Sequence, residues 1–297
     1  MMSKQYRSLA DRSFDMLILF VLWAALLLVI YPIVYIVSAS FSLPSAVLTG
    51  KVWLFPVEPS LISYATVFRN KQILSGYGNS VIYTVFGTAI SVMLTLMAAF
   101  PTSRKSFYGR KVIMGIFLFT MLFSAGLVPT YLWIKTVNML DTRWAMILPN
   151  ALSIWLVIIA KSFIEQNIPA ELYEAAEIDG CHDLHVFVRV VIPLSGPIIA
   201  VVALNYAVGI WNSYYDALIY LTDSSKFPLQ IILRNILILN KFDVTTVSDY
   251  EAISRKQGLA DAIKYALIVV SSAPLLMIYP FIQKYFIKGI MVGSIKG

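Results

Sequence analysis

Charge is what this chain has least of. Aspartate, glutamate, lysine and arginine make up 13% of its 297 residues, against 59% hydrophobic residues and a mean hydropathy of +0.77. An average soluble domain is about 25% charged, so this composition cannot dress a water-facing surface of ordinary size. A solvated enzyme domain, a disordered chain and a collagen-like fibre are excluded together, and the chain belongs in a membrane. Cysteine is nearly absent as well: Cys181 stands alone, so it has no internal disulfide partner. Both histidines, His182 and His185, lie beside it in one polar loop, too few ligands for a metal site. No GxxxxGK[ST] phosphate loop occurs, which excludes ATP binding of that kind. Ionisable groups inside a bilayer mark ion pathways and relays. Here Asp216 sits well inside an apolar run and Lys161 near the end of another, which is sparse for a proton- or sodium-driven carrier. Neither histidine lies in such a run to act as the base of an intramembrane protease.

What is present is apolar length. Runs long enough to cross roughly 30 Å of hydrocarbon, about 20 residues each, fall at 16–38, 79–100, 112–134, 144–164, 197–221 and 265–286. The first is too long for the apolar core of a signal peptide and is expected to remain as an anchor. The fourth is interrupted by Pro149. Short basic flanks set orientation. Lys4, Arg7 and Arg12 precede the first run, Arg104, Lys105, Arg110 and Lys111 join the second to the third, and Lys284, Lys288 and Lys296 follow the sixth. The third-to-fourth connection has only Lys135 and Arg143. The expectation is an all-α membrane protein, one domain over 1–297, with six transmembrane helices and both termini cytoplasmic. The formal charge of +7 then belongs to basic inner loops rather than to a nucleic-acid surface.

One inner loop breaks the basic pattern. Between the fourth and fifth runs, residues 165–196 hold Glu165, Glu171, Glu174, Glu177, Asp179 and Asp183, which suits a protein partner better than an anionic lipid surface. Pro169 fits a first helical turn with Asn167 as a nearby cap, and Ala, Glu and Leu favour helix through Asp179. Gly180 is free to take the left-handed conformation that closes a helix. Asp183 is placed to cap a second helix, which Pro193 must end or kink. Ala175 and Ala176 offer a small-residue face to another backbone.

The run Glu174-Ala175-Ala176-Glu177-Ile178-Asp179-Gly180, followed by Val190-Val191-Ile192-Pro193, resembles the EAA loop of permease subunits of bacterial ABC importers, with Val190 and Ile192 in place of the usual Ile and Leu. Further segments are similar to the carbohydrate (maltose-type) branch. They include Ser40-Phe41-Ser42, Gly76-Tyr77-Gly78-Asn79, Trp211-Asn212-Ser213-Tyr214-Tyr215-Asp216, Pro228-Leu229-Gln230 and the ending Lys288 to Gly297. Within that branch the chain is most similar to the second permease of complex-glycan importers. The resemblance implies a multi-pass subunit of the bacterial cytoplasmic membrane, with a homologous second permease, two ATPases and an extracytoplasmic solute-binding protein as partners. ATP and Mg would sit on the ATPases, with no cofactor on this chain, no covalent chemistry and no nucleic acid. It further implies that Glu174, Ala175, Ala176, Asp179, Gly180 and Pro193 serve ATPase coupling, and that a tail with Gly289, Gly293, Lys296 and Gly297 inserts between the ATPase subunits.

The fifth run supplies candidates for a sugar path. Asn205, Asn212 and Asp216 recur at i, i+7 and i+11, one face of a continuous helix, and Trp211 and Tyr215 stand at i, i+4. Hydroxyl-bonding groups beside aromatic faces suit a glycan, although an interfacial aromatic belt or helix–helix bonding would account for the same residues. The substrate class is then an oligosaccharide or polysaccharide fragment, uronate-rich fragments included. A stand-alone secondary transporter for a small solute is the competing class.

Overall fold

The computed structural model describes residues 9–237 and 263–280, with side chains from residue 13 onward. Among the described residues every regular element is a helix, and the sole bridge pairs Ser42 with Pro59. The chain divides into two units, the first drawn from Met1–Asn70 and Ile236–Ser271, the second from Lys71–Asn235 and Ser272–Gly297.

In the first unit α1 (Leu9–Ser40) is followed by α2 (Pro44–Leu48) and α3 (Ile62–Arg69). Nearly the whole length of α1 is exposed, as an apolar helix meant for lipid or a partner would be. Its end is tied down by short polar bonds: Ser38 Oγ donates to Leu54 O at 2.6 Å, Ser42 Oγ donates to Ser38 O at 2.7 Å, and the Ser40 and Tyr64 hydroxyls lie 2.8 Å apart. Ala39, Ala46, Val47 and Val52 are buried there, with Tyr35 edge-on to Tyr265.

The second unit is built on α4 (Lys71–Ser103), 33 residues long. Then come α5 (Arg110–Leu122), α6 (Leu127–Thr136), α7 (Trp144–Ile147), α8 (Ile154–Asn167), α9 (Ala170–Ile178) and α10 (Asp183–Val186). A π-helical turn (Phe187–Val191), α11 (Ile192–Leu194), α12 (Gly196–Trp211), α13 (Tyr215–Tyr220) and α14 (Leu229–Leu237) complete it. The apolar helix Ile263–Pro280, α15, spans the boundary between the units. α4 packs chiefly against α12 and α8. Leu96, Ala99 and Phe100 from α4 form one core with Val157, Ala160 and Ile164 from α8 and with Ile198, Val202 and Tyr206 from α12.

By length and composition three helices can cross a bilayer: Ser13–Ser40 within α1, α4 and α15. Two more candidates exist if bent pairs count as single spans, α5 with α6 at 115° and Asp183–Leu194 with α12 at 83°. Six continuous spans are therefore not what the described residues form. The run 112–134 breaks where Phe123 turns extended and Gly126 adopts φ 83°. The run 144–164 breaks around Pro149, and α8 alone is 14 residues, about 21 Å of helix at 1.5 Å per residue. The run 197–221 breaks after Trp211. The Pro149 interruption was expected; what apolar composition does not record is the side chain that meets the backbone group freed there. The Tyr206 hydroxyl accepts the Ser153 N–H at 2.9 Å. The end of the sixth run and the tail with Gly289, Gly293, Lys296 and Gly297 lie outside the described residues.

The N-terminal half of α4 is anchored by hydrogen bonds. Asn79 Nδ2 donates to Ser225 O (2.7 Å) and Phe227 O (3.1 Å), Tyr83 OH donates to Lys226 O (2.7 Å), and Ser80 Oγ accepts from Leu229 N (2.8 Å). Beside them Asp141 accepts the N–H groups of Thr222 and Asp223, and Lys226 lies 3.2 Å from Asp223 and 3.5 Å from Asp141. The bonds from Ser225 and Lys226 hold the Asp223 carboxyl down at about 2, and the Asp223 and Thr222 amides lower Asp141. A depressed carboxyl contributes stability above its unfolded value, here 3.8, and loses it as pH falls through the folded one. The thermal-stability difference between wild type and Asp223→Asn in detergent should therefore be constant from neutral pH down to about pH 4 and vanish toward about pH 2. Close packing sets a second expectation. A Cβ on Gly76 would overlap Ile232 Cδ1 and stand 3.3 Å from Leu229 Cα. Gly76→Val should destabilise by about 1–3 kcal/mol through overpacking, read as a lower unfolding midpoint of the purified protein.

Candidate functional site

The acidic loop folds as the local chemistry dictates. α9 begins after Pro169, which stands at the N-cap with φ −60° and ψ 144°, one place before the first turn in which the sequence puts it. Asn167 caps nothing ahead of it. It closes α8, its Nδ2 donating to Phe163 O at 2.9 Å. At the far end Gly180 adopts φ 70°. Cys181 N–H reaches Ala176 O (2.9 Å) and Gly180 N–H reaches Glu177 O (3.1 Å), the paired bonds of a glycine-closed helix end. This is the left-handed closure expected of Gly180.

His182, not Asp183, holds the N-cap of α10, and no side chain bonds the cap. Pro193 ends neither helix at once. A proline cannot donate to the carbonyl four residues back and its ring crowds it. The chain widens into the π-helical turn just before it, with Ile192 N–H bonded to Phe187 O, and continues to Leu194 before the 83° bend. The two alanines face apart: Ala176 is half-buried against the core, while Ala175 is exposed.

The loop is held by cations from the second-to-third connection, whose basic residues were legible only as topology signals. Arg104, its side chain 12% exposed, donates through Nη2 to Glu177 (2.5 Å) and through Nη1 to Asp183 (3.1 Å). Its guanidinium carbon lies 4.7 Å from the centroid of the Tyr173 ring. Burial raises the Tyr173 phenol above its ordinary value, with Arg104 opposing. Arg110 and Lys161 both bond Glu165. The pairing could have been suspected from six carboxylates in one inner loop facing four bases in another.

Of the loop's six carboxylates, three stay without an ion pair among the described residues: Glu171, Glu174 and Asp179. All three are exposed, and so are Ile178 (86%) and Leu184 (70%). Glu174 also lines a cleft of about 630 Å³ shared with Arg104, Lys105, Arg110, Glu165 and Glu177.

The path candidates are scattered more than helical arithmetic implies. Asn205 and Asn212 are exposed and bond their own helix, to Val201 O and Val208 O at 2.9 Å each. α12 ends at Trp211, so Asp216 lies in the first turn of the separate α13, and the single face over i, i+7 and i+11 does not form. Trp211 is buried and edge-on to Tyr77 at 5.7 Å. Tyr215 is exposed, and the Asp216 carboxylate accepts from Ser213 (2.8 Å) and Asn150 (3.1 Å). Asn150 had no sequence signal of its own.

An all-helical membrane protein with a paired-helix loop of this kind is the architecture of a transport permease. Residues 91–292 match the family described as binding-protein-dependent transport system inner membrane component, and the chain belongs to that family. It is 41% identical to Protein LplC of Bacillus subtilis, covering 97% of this chain and 96% of the relative. It is 42% identical to the polygalacturonan/rhamnogalacturonan transport system permease protein YtcP of the same organism, covering 97% and 99%. Its fold superposes with a TM-score of 0.86, at 32% identity, on a chain from the crystal structure of a bacterial ABC transporter involved in the import of the acidic polysaccharide alginate, over 95% of this chain and all of that one. The chain is thus a permease subunit of an ABC importer, not an enzyme in its own right.

The Gly180 turn yields a clean test, because a Cβ there meets nothing within 4 Å. The penalty of Gly180→Val is the left-handed backbone alone, roughly 1–3 kcal/mol for a strained residue. Hydrogen exchange at the Gly180 and Cys181 amides should accelerate in the valine variant, and Gly180→Asn, which tolerates that conformation, should stay near wild type.

Proposed function

We propose that this chain is one half of the pore of an ATP-driven importer of oligosaccharides or polysaccharide fragments, uronate-rich fragments included, in the bacterial cytoplasmic membrane. The match to the alginate importer along 95% of the chain is the observation that carries this reading. The names of YtcP and of the alginate importer support an acidic polysaccharide as the substrate class. In this reading 1–297 acts as one permease domain that crosses six times with both termini inside, the bent pairs and the α7–α8 segment supplying the crossings beyond α1, α4 and α15. Its partners are a homologous permease, two ATPases that bind ATP and Mg, and an extracytoplasmic solute-binding protein.

Coupling follows from the loop. Glu171, Glu174 and Asp179 offer free negative charge to cations on the ATPase, and Ile178 and Leu184 offer apolar surface to be covered. Gly180 sets the angle between α9 and α10, the alanines allow close approach on both faces, and Pro193 passes displacement into the bend before α12. Along the path, Asn212 and Tyr215 present a hydroxyl-bonding group and a ring to a glycan, with Asn205 deeper on α12. Trp211 backs them from the core. Asp216, its carboxylate bonded by Asn150 and Ser213, suits hydroxyls rather than uronate carboxylates. The tail residues Gly289, Gly293, Lys296 and Gly297 enter the ATPase interface.

The test is purification with native partners. Glycan-stimulated ATP hydrolysis is expected, whereas uptake driven by an ion gradient in liposomes holding this chain alone would establish the secondary-transporter class instead. Deleting residues 289–297 should leave pairing with the second permease intact and weaken ATPase assembly or stimulation. Wild-type behaviour in both would remove the tail from the mechanism.

A further inference from the structure

α9 and α10, nine and four residues long, are too short to hold their shape alone, since isolated helices below about 12–15 residues are marginal in water. α9 has no fully buried residue, and the left-handed Gly180 lies between the two helices. What spans that turn is one side chain. Arg104 bonds Glu177, three residues before Gly180, and Asp183, three residues after it. On the α9 side it also covers the Tyr173 ring, one helical turn before Glu177. Arg104 itself is fixed: it follows the last residue of α4, its N–H donates to Pro101 O at 3.2 Å, and its side chain is 12% exposed.

We propose that Arg104 is a positioning residue that fastens α9 and α10 to each other and to the end of α4, so that force on the loop reaches the spans. This rests on the reading of the loop as the ATPase contact. The carboxylates are exposed, 62% for Glu177 and 81% for Asp183, and either pair alone would contribute little. The geometry matters because a planar guanidinium can fork to two carboxylates while stacking on a ring. A lysine ammonium keeps the charge but is a single point with no planar face. Arg104→Lys therefore preserves the positive charge that orients the chain in the membrane and removes the fork, which separates positioning from topology.

The experiment uses the assembled importer in nanodiscs, spin-labelled at the chain's own exposed Cys181 and at Tyr108→Cys, also exposed. The distance distribution should be narrow with Arg104 and broad in Arg104→Ala and Arg104→Lys. The ratio of glycan-stimulated to basal hydrolysis should fall about tenfold in the alanine variant, the size of a coupling energy within one ion-pair network, and be only partly recovered by lysine. A narrow distribution in both variants, or full recovery of the ratio by lysine, overturns the proposal. Glu174→Lys tests the underlying reading separately: retention of the ATPase and its stimulation there would remove the loop as the ATPase contact, whatever the distances show.

Discussion

Hydrocarbon offers a backbone no hydrogen-bond partners, and most of the second unit can be derived from that constraint. A segment crossing it stays helical or has its freed groups met by side chains. α4 takes the first course for 33 residues. The α7–α8 segment takes the second at its break, where the Tyr206 hydroxyl accepts the Ser153 N–H. Irregular backbone within a membrane protein is tolerated where protein or a water-lined cavity surrounds it, and the Ser153 break is backed by Tyr206 of the core that α4, α8 and α12 form.

This explains what could be read from residues alone. Gly180 was legible because a helix-favouring run followed by glycine has one common ending. The two-helix form of the loop followed from the same local rules. The break around Pro149 was legible from the proline itself; those at 123–126 and 212–214 were not, and neither was the side chain that meets the freed Ser153 N–H. Tyr206 is 53 residues from the Ser153 it serves, and no window of hydropathy contains both.

Charge was legible by count and not by pairing. Arg104, Lys105, Arg110 and Lys111 were read for orientation, yet Arg104 and Arg110 are the cations that hold the acidic loop, across 55 to 79 residues of sequence. The same pairing divides the carboxylates into two populations. Glu165, Glu177 and Asp183 serve the fold, and Glu171, Glu174 and Asp179 face outward. Within the run Glu174–Gly180, Glu174 and Asp179 are thus the carboxylates the fold leaves without an ion pair, and Gly180 is the residue whose backbone the fold requires.

The length of α4 has a mechanical side. At 1.5 Å per residue its 33 residues make a rod of about 50 Å, against about 30 Å of hydrocarbon. Its third and fourth turns are gripped through Asn79, Ser80 and Tyr83, and the chain just past its last turn through Arg104. A hydrogen-bonded helix stretches little along its axis, so a tug at either grip arrives at the other almost undiminished. The stretch of helix between the two grips forms a single lever arm.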